Sequence, residues 1–289
     1  MNFELAPALA LASAALYGAA DFLGGMGARR TNAIAVVAVS QLVGLMLLAV
    51  MLVWLPDAAP TPSDLLWGGA AGLAGGIGVA LLYRALAVGR MAVVAPTTAV
   101  CAVAIPVTAA MLLGERPSAG RLAGMGLAIV AIVLVSQQRS VDEGQDHPLM
   151  SRRMPPGLGL ALMSGVAIGF FFLALARTAA TAGLWPLLTA RVMSVGLFAV
   201  SAVVSGRSLR MTAPVASIVI AAGVVDMLAN ALYLIATRYG SLSVVVTLSS
   251  LYPASTVILA RVILGERLSA LQSVGIVCAL IAVVLIVGA

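Results

Sequence analysis

The segment Gly114-Glu115-Arg116-Pro117-Ser118 returns as Gly265-Glu266-Arg267-Leu268-Ser269, displaced by 151 residues and without a gap. The match extends on both sides. Leu81, Ala85, Gly89, Val93 and Val94 fall on Leu232, Ala236, Gly240, Val244 and Val245; Gly124, Ala128, Val133 and Leu134 fall on Gly275, Ala279, Val284 and Leu285. The same displacement carries Ala10, Leu11, Ser13 and Gly18 onto Ala161, Leu162, Ser164 and Gly169. Apolar composition inflates chance matches, but it does not generate paired glycines and Glu-Arg dipeptides. The repeating unit is therefore half the chain.

What surrounds the repeated turn is apolar. Of 289 residues, 62% are hydrophobic and 9% charged, whereas about one quarter of an average soluble domain is charged. Apolar runs of about twenty residues recur, each long enough to cross a hydrocarbon layer of roughly 30 Å. Bounded by charges, prolines and glycines, they predict helices near 6–28, 32–55, 65–88, 91–113, 119–138, 157–179, 183–204, 213–237, 241–264 and 269–288. The first run follows Glu4 and no basic residue, and is too long for a signal-peptide core, so a retained helix is expected. Arg139 to Pro156 is polar and predicts a linker at 139–156 between a first repeat over 1–138 and a second over 157–289. The expected fold is an all-α integral membrane protein of ten transmembrane helices. Because each repeat holds five, the second enters the membrane from the opposite face, and the repeats are inverted. Two such halves can expose a site between them to one face and then the other.

The formal charge is +6, and all sixteen basic residues are arginines. They lie singly or in pairs at the ends of apolar runs, a pattern for anchoring helices and not for a nucleic-acid patch. Nine (29, 30, 90, 139, 152, 153, 207, 210, 267) fall on the linker's side and four (116, 121, 177, 238) on that of the termini. The positive-inside rule then places the linker in the cytoplasm and the termini outside. Cys101 and Cys278 lie in apolar runs with no partner at ligand spacing, so neither a disulfide, a metal site nor a cofactor is expected. The one histidine, His147, is in the linker and there is no lysine, which argues against an intramembrane enzyme.

The order and spacing of several short motifs resemble the drug/metabolite transporter superfamily, in particular its ten-helix EamA type. The resemblance covers essentially the whole chain. It is carried by Tyr17-Gly18 with Asp21-Phe22, Tyr83-Arg84-Ala85-Leu86, Pro96, Ser250-Leu251-Tyr252-Pro253 and both Gly-Glu-Arg turns. It implies secondary transport of small metabolites, amino acids or drugs, commonly export, from a cavity between the halves; it also implies cytoplasmic termini, as often drawn for ten-helix relatives, the reverse of what the arginine count favours.

Candidate residues follow from what a bilayer makes costly. Gly114 and Gly265 suit the left-handed position that ends a helix. Ser118 and Ser269 are then placed as N-caps, and Gln272 completes a capping box. This makes Gly114, Glu115, Gly265 and Glu266 structural turns first, with gating as a minor role for the glutamates. Glycines every four positions at Gly68, Gly72 and Gly76, and again at Gly120 and Gly124, let helices approach closely, within the chain or at a dimer face on the fifth or tenth helix. Pro96, Pro106, Pro186 and Pro253 interrupt the fourth, seventh and ninth helices, each freeing a carbonyl one turn earlier. Kinks in the fourth and ninth helices mark a substrate path with Thr97, Thr98, Ser249, Ser250 and Tyr252, or a hinge without substrate contact.

Charges within the apolar runs are the strongest evidence for a site, since insertion alone costs roughly 2.5–3.5 kcal/mol for a mid-helix Asp or Arg. They are Asp21, Arg84, Arg191, Asp226 and Arg261. Asp21 and Arg84 are placed to pair, as are Arg191 and Asp226. In the bland reading Arg84 and Arg261 snorkel to the interface and the acids sit in structural ion pairs. In the functional one Asp21 and Asp226, with Arg84, Arg191 and Tyr17, form the substrate or proton path. Neither acid is repeated: the displacement sets Phe172 against Asp21 and Gly75 against Asp226. The expectation is a multi-pass cell-membrane transporter and exporter, monomeric or homodimeric, whose partners are a small-molecule substrate, the lipid bilayer and protons, with no nucleic acid. A non-transporting scaffold or sensor and an intramembrane enzyme are the alternatives.

Overall fold

The computed structural model describes residues 5–54, 58–88, 91–136, 157–206, 209–264 and 269–288. The linker, Gly265, Glu266 and Arg267 lie outside the described residues, as do the side chains of Pro96 and Arg261. Hydrocarbon offers backbone groups no partner, and helices satisfy them within one segment. The helices are α1 (Leu5–Ala28), α2 (Ala33–Trp54), α3 (Pro62–Val88), α4 (Met91–Leu112), α5 (Ala119–Ser136), α6 (Leu158–Ala176), α7 (Trp185–Ser205), α8 (Ala213–Tyr239), α9 (Leu242–Ser249), α10 (Tyr252–Leu264) and α11 (Ala270–Gly288). Seven of them (α1, α2, α3, α6, α7, α8 and α11) are long and apolar enough to cross a membrane, and shorter apolar stretches lie at Thr97–Leu112, Ala119–Val135 and Leu242–Thr256.

The ninth run departs from expectation. It is not one kinked helix but two, α9 and α10, separated by a turn at Ser250 and Leu251. Pro253 is the second residue of α10 and has no N–H to return to the Ser249 carbonyl. The chain tightens instead, Leu251 N bonding to Leu248 O at 3.2 Å and Ala254 N to Leu251 O at 3.0 Å. Pro253 thus starts a helix and does not bend one. Its counterpart α4 runs unbroken through Pro96 and the buried Pro106, so the two halves do not carry matching kinks. Pro186 likewise opens α7 instead of interrupting it, where its missing N–H costs nothing.

Hydrogen bonds between helices obey the repeat. Ser13 Oγ donates to Ala229 O at 2.9 Å, and Ser164 Oγ, 151 residues on, donates to Gly78 O at 2.7 Å, with Gly78 and Ala229 related by the same displacement. Thr98 Oγ1 donates to Ala161 O, and its counterpart Ser249 Oγ to Ala10 O. Exchanging the halves thus leaves the contacts in place: α1 packs on α8 as α6 packs on α3, and α5 lies against α11. Direction follows from the same contacts. Gly24 near the end of α1 makes room for Tyr83 near the end of α3, so these two helices run in parallel. On α3, Gly75 meets Phe171 and Gly78 meets Ile168, so α6 runs against α3 and hence against α1. The two repeats are inverted.

Turns and close approaches hold the halves together. Gly114, at φ 103°, takes the positive dihedral that glycine tolerates. Around it Glu115 N bonds to Ala110 O at 2.9 Å and Gly114 N to Met111 O at 3.1 Å, a Schellman closure of α4. Glu115 then accepts hydrogen bonds from Leu242 N at 2.8 Å and Ser243 N at 3.2 Å, capping α9 of the other half. Ser118 Oγ caps Arg121 N, while Ser269 and Gln272 form the reciprocal capping box. The glycine stripe of α3 fits α7, Gly72 lying against Ala190 and Gly76 against Ser194 and Phe198; Gly124 and Gly275 close the contact of α5 with α11.

Two substitutions test this packing. A Cβ at Gly223 would lie 2.5 Å from Ser40 O and 2.9 Å from Ser40 Cα, whereas one at Gly126 meets nothing within 4 Å. Gly223→Leu should therefore destabilise the detergent-solubilised protein by about 1–3 kcal/mol or more in thermal-melt chromatography, and Gly126→Leu should leave the melt unchanged. Glu115→Ala should cost about 0.5–2 kcal/mol through loss of the α9 cap.

Candidate functional site

Where the inverted halves meet, the helices leave a cavity of about 70 Å³. α1 contributes Tyr17 and Asp21, α2 contributes Gln41, and α7 contributes Arg191 and Ser194. Asp226 and Asn230 come from α8, Tyr252 from α10, and Ile168, Phe171 and Phe172 from α6. α3 supplies Gly72, Gly75, Gly76, Val79 and Leu82. Spacings of three and four bring these residues to one face of each helix. Tyr17 and Asp21 lie four apart on α1, and Asp226 and Asn230 four apart on α8.

One polar network crosses the cavity. Arg191 Nη2 meets Asp226 Oδ2 at 2.5 Å, the Arg191 side chain being 6% exposed and that of Asp226 26%. Arg191 Nη1 donates to Gln41 Oε1, which also accepts from Ser194 Oγ at 3.1 Å. Asn230 Nδ2 donates to Asp226 O at 2.7 Å, and Tyr17 OH donates to Asn230 Oδ1 at 2.8 Å. The backbone of Gly44 lies against the guanidinium, where a Cβ would sit 3.3 Å from Arg191 Cζ. A buried guanidinium with a carboxylate and an amide for partners meets the condition under which such a charge is tolerated in a low dielectric. An aromatic wall stands across from it. Phe172 packs edge-on to Tyr17 at 5.9 Å between centroids and against Tyr233 at 4.6 Å, with Phe171 at 5.4 Å.

Asp21 is different. It lines the cavity and has no hydrogen-bond or ion-pair partner among the described residues. The pairing with Arg84 expected from chain direction does not occur, and Arg84 is exposed. Helical phase explains this: Gly72, Gly75, Gly76, Val79 and Leu82 share the cavity face of α3, and Arg84 stands about 200° around from Leu82. Asp21 and Asp226 do interact electrostatically across the cavity.

The expected path along the fourth and ninth helices is displaced. Thr98 and Ser249 bond α4 to α6 and α9 to α1, so their hydroxyls serve helix packing, and Thr97 is half-buried; none of the three lines the cavity. Ser250 is buried at the break, its hydroxyl without a partner among the described residues, and Tyr252 beyond it reaches the cavity wall. Gln41, Ser194, Asn230 and the Phe171-Phe172 pair were not singled out in the sequence. Gln41 and Asn230 could have been, since an amide inside an apolar run also needs a partner, and Asn230 lies one turn beyond Asp226.

Inverted halves around a cavity, with apolar helices long enough to span a bilayer, define an integral multi-pass membrane protein. The family model described as the EamA-like transporter family matches residues 5–137 and 155–288, one match per repeat. The chain belongs to the EamA-like transporter family, and is a membrane transporter of small molecules. A solved structure titled only as the crystal structure of a protein is similar at 17% identity over 97% of this chain and 95% of its own, with a TM-score of 0.76. At that identity the likeness is one of fold. No curated protein matches the chain.

The ion pair makes a direct prediction. Arg191→Met should strand the Asp226 carboxylate and destabilise the protein by roughly 3–5 kcal/mol. Arg191→Met with Asp226→Leu should recover much of that loss. If the losses of Arg191→Met and Asp226→Leu, each measured alone, add up to that of the double variant, the two charges are not coupled.

Proposed function

We propose that the chain is a secondary active transporter that exports small metabolites, amino acids or drugs across the cell membrane by alternating access, with proton exchange as its coupling. Ten membrane passes are part of this reading, α9 and α10 forming one broken pass. The observation that carries it is the placement of Asp21, an acid with no hydrogen-bond or ion-pair partner among the described residues, in a cavity between two halves whose contacts are interchangeable. A scaffold gains nothing from a charge there, and an enzyme would need a nucleophile or metal set beside it. Export is the direction that the family resemblance implies, and the arginine asymmetry favours termini outside.

Size supports movement. A cavity of about 70 Å³ falls far short of the roughly 300–1,000 Å³ of pockets for drug-sized ligands, so a metabolite enters only as the halves part. Asp21 and Asp226 are the candidate protonation sites. Asp21 is faced by Tyr17 on its own helix and by Tyr83, Arg191, Asp226 and Tyr252 from α3, α7, α8 and α10.

Reconstitution into liposomes tests the reading. Wild-type protein should move solutes from a metabolite, amino-acid and drug panel faster when a pH gradient is imposed, and Asp21→Asn should lose the response to the gradient. Equal flux with both acids neutralised and no gradient would refute proton coupling. Absence of flux for every solute would refute transport.

A further inference from the structure

We infer that the cavity selects organic cations, with an ammonium group against Asp21 and an apolar or aromatic body against α6. The inference rests on the transporter reading but concerns what binds, not whether it moves.

The charges at the cavity leave little choice. Three ionisable acids or bases with a formal charge at neutral pH line it: Asp21, Asp226 and Arg191. The Arg191 guanidinium is committed to Asp226 and Gln41, with Gly44 against its face. A substrate carboxylate would find no free cation among the described lining residues, and would meet two acids instead. Asp21 is left as an acid with no hydrogen-bond or ion-pair partner among the described residues, on a largely apolar wall. An ammonium guest supplies the compensating charge that such a group needs.

The opposite wall suits the rest of the same guest. The repeat puts Phe172 at the position related to Asp21, so the pseudo-twofold arrangement sets an aromatic ring across from the acid. Phe171, Phe172, Tyr17 and Tyr252 all reach the cavity, and aromatic faces attract cations while accepting apolar bodies. Gly75 makes room for the Phe171 ring, since a Cβ there would come within 2.8 Å of it. One acid facing one aromatic wall is the arrangement for a hydrophobic monoamine or quaternary ammonium ion, not for an anion or a zwitterion.

Equilibrium binding to the purified full-length protein in nanodiscs tests this without a gradient. The probes are phenethylamine, phenyltrimethylammonium, phenethyl alcohol, phenylacetate and phenylalanine, measured by calorimetry at neutral pH. Both cations should bind at least tenfold more tightly than the other three. Asp21→Asn should weaken cation binding at least tenfold and leave phenethyl alcohol unaffected, and Asp21→Glu should retain most of it. Should the Asn variant fail to fold, the wild-type ranking of the five probes decides alone. Tighter binding of phenylacetate or phenylalanine, no binding of either cation, or unchanged cation affinity in Asp21→Asn overturns the inference. Asp21-dependent cation binding without flux in liposomes would sink the transporter reading and leave this one standing; flux of anions or zwitterions alone would do the reverse.

Discussion

A polar group surrounded by hydrocarbon has no water to turn to, so each must find its partner inside the protein. Most of the architecture answers that demand. Serine and threonine hydroxyls are spent on carbonyls of neighbouring helices, joining α1 to α8 and α6 to α3. The freed end of α4 closes on itself at Gly114, and the first amides of α9 are taken by Glu115. Arg191 is held by Asp226 and Gln41. Against this economy of satisfied groups, Asp21 stands out because it faces the cavity without a hydrogen-bond or ion-pair partner among the described residues.

Symmetry and its breach divide the labour. The hydroxyl-carbonyl pairs sit at repeat-related positions and fix how the halves meet. The charged network does not repeat: Arg191 corresponds to Ser40, Asp226 to Gly75 and Asn230 to Val79. Each of these polar residues thus has a small or apolar counterpart. The scaffold is common to both halves, and the chemistry is written on only one set of positions.

The helices and their inversion were legible because hydrophobic length and a gapless repeat are properties of the chain itself. The Gly114 turn and the Ser269-Gln272 box were legible because caps are local. The Arg191-Asp226 pair could be anticipated from depth along two successive helices. The false pairing of Asp21 with Arg84 shows the limit of that reasoning, since depth gives the level in the membrane and not the direction around a helix. Thr98 and Ser249 stand away from the cavity for another reason: a hydroxyl in an apolar run can serve packing as readily as substrate. Nor does a proline reveal whether it sits within a helix or begins one, as Pro106 and Pro253 demonstrate in equivalent stretches of the two halves.

That last difference has mechanical weight. α4 is a single rod from Met91 to Leu112, whereas its counterpart is two short levers meeting at Ser250 and Leu251. A push at one end of a continuous helix arrives at the other, while a push on a jointed one is absorbed at the turn. The two halves share their fasteners but not their continuity. A machine assembled from duplicated parts thereby acquires one unbroken side and one jointed side, with Tyr252 carried at the joint beside the cavity.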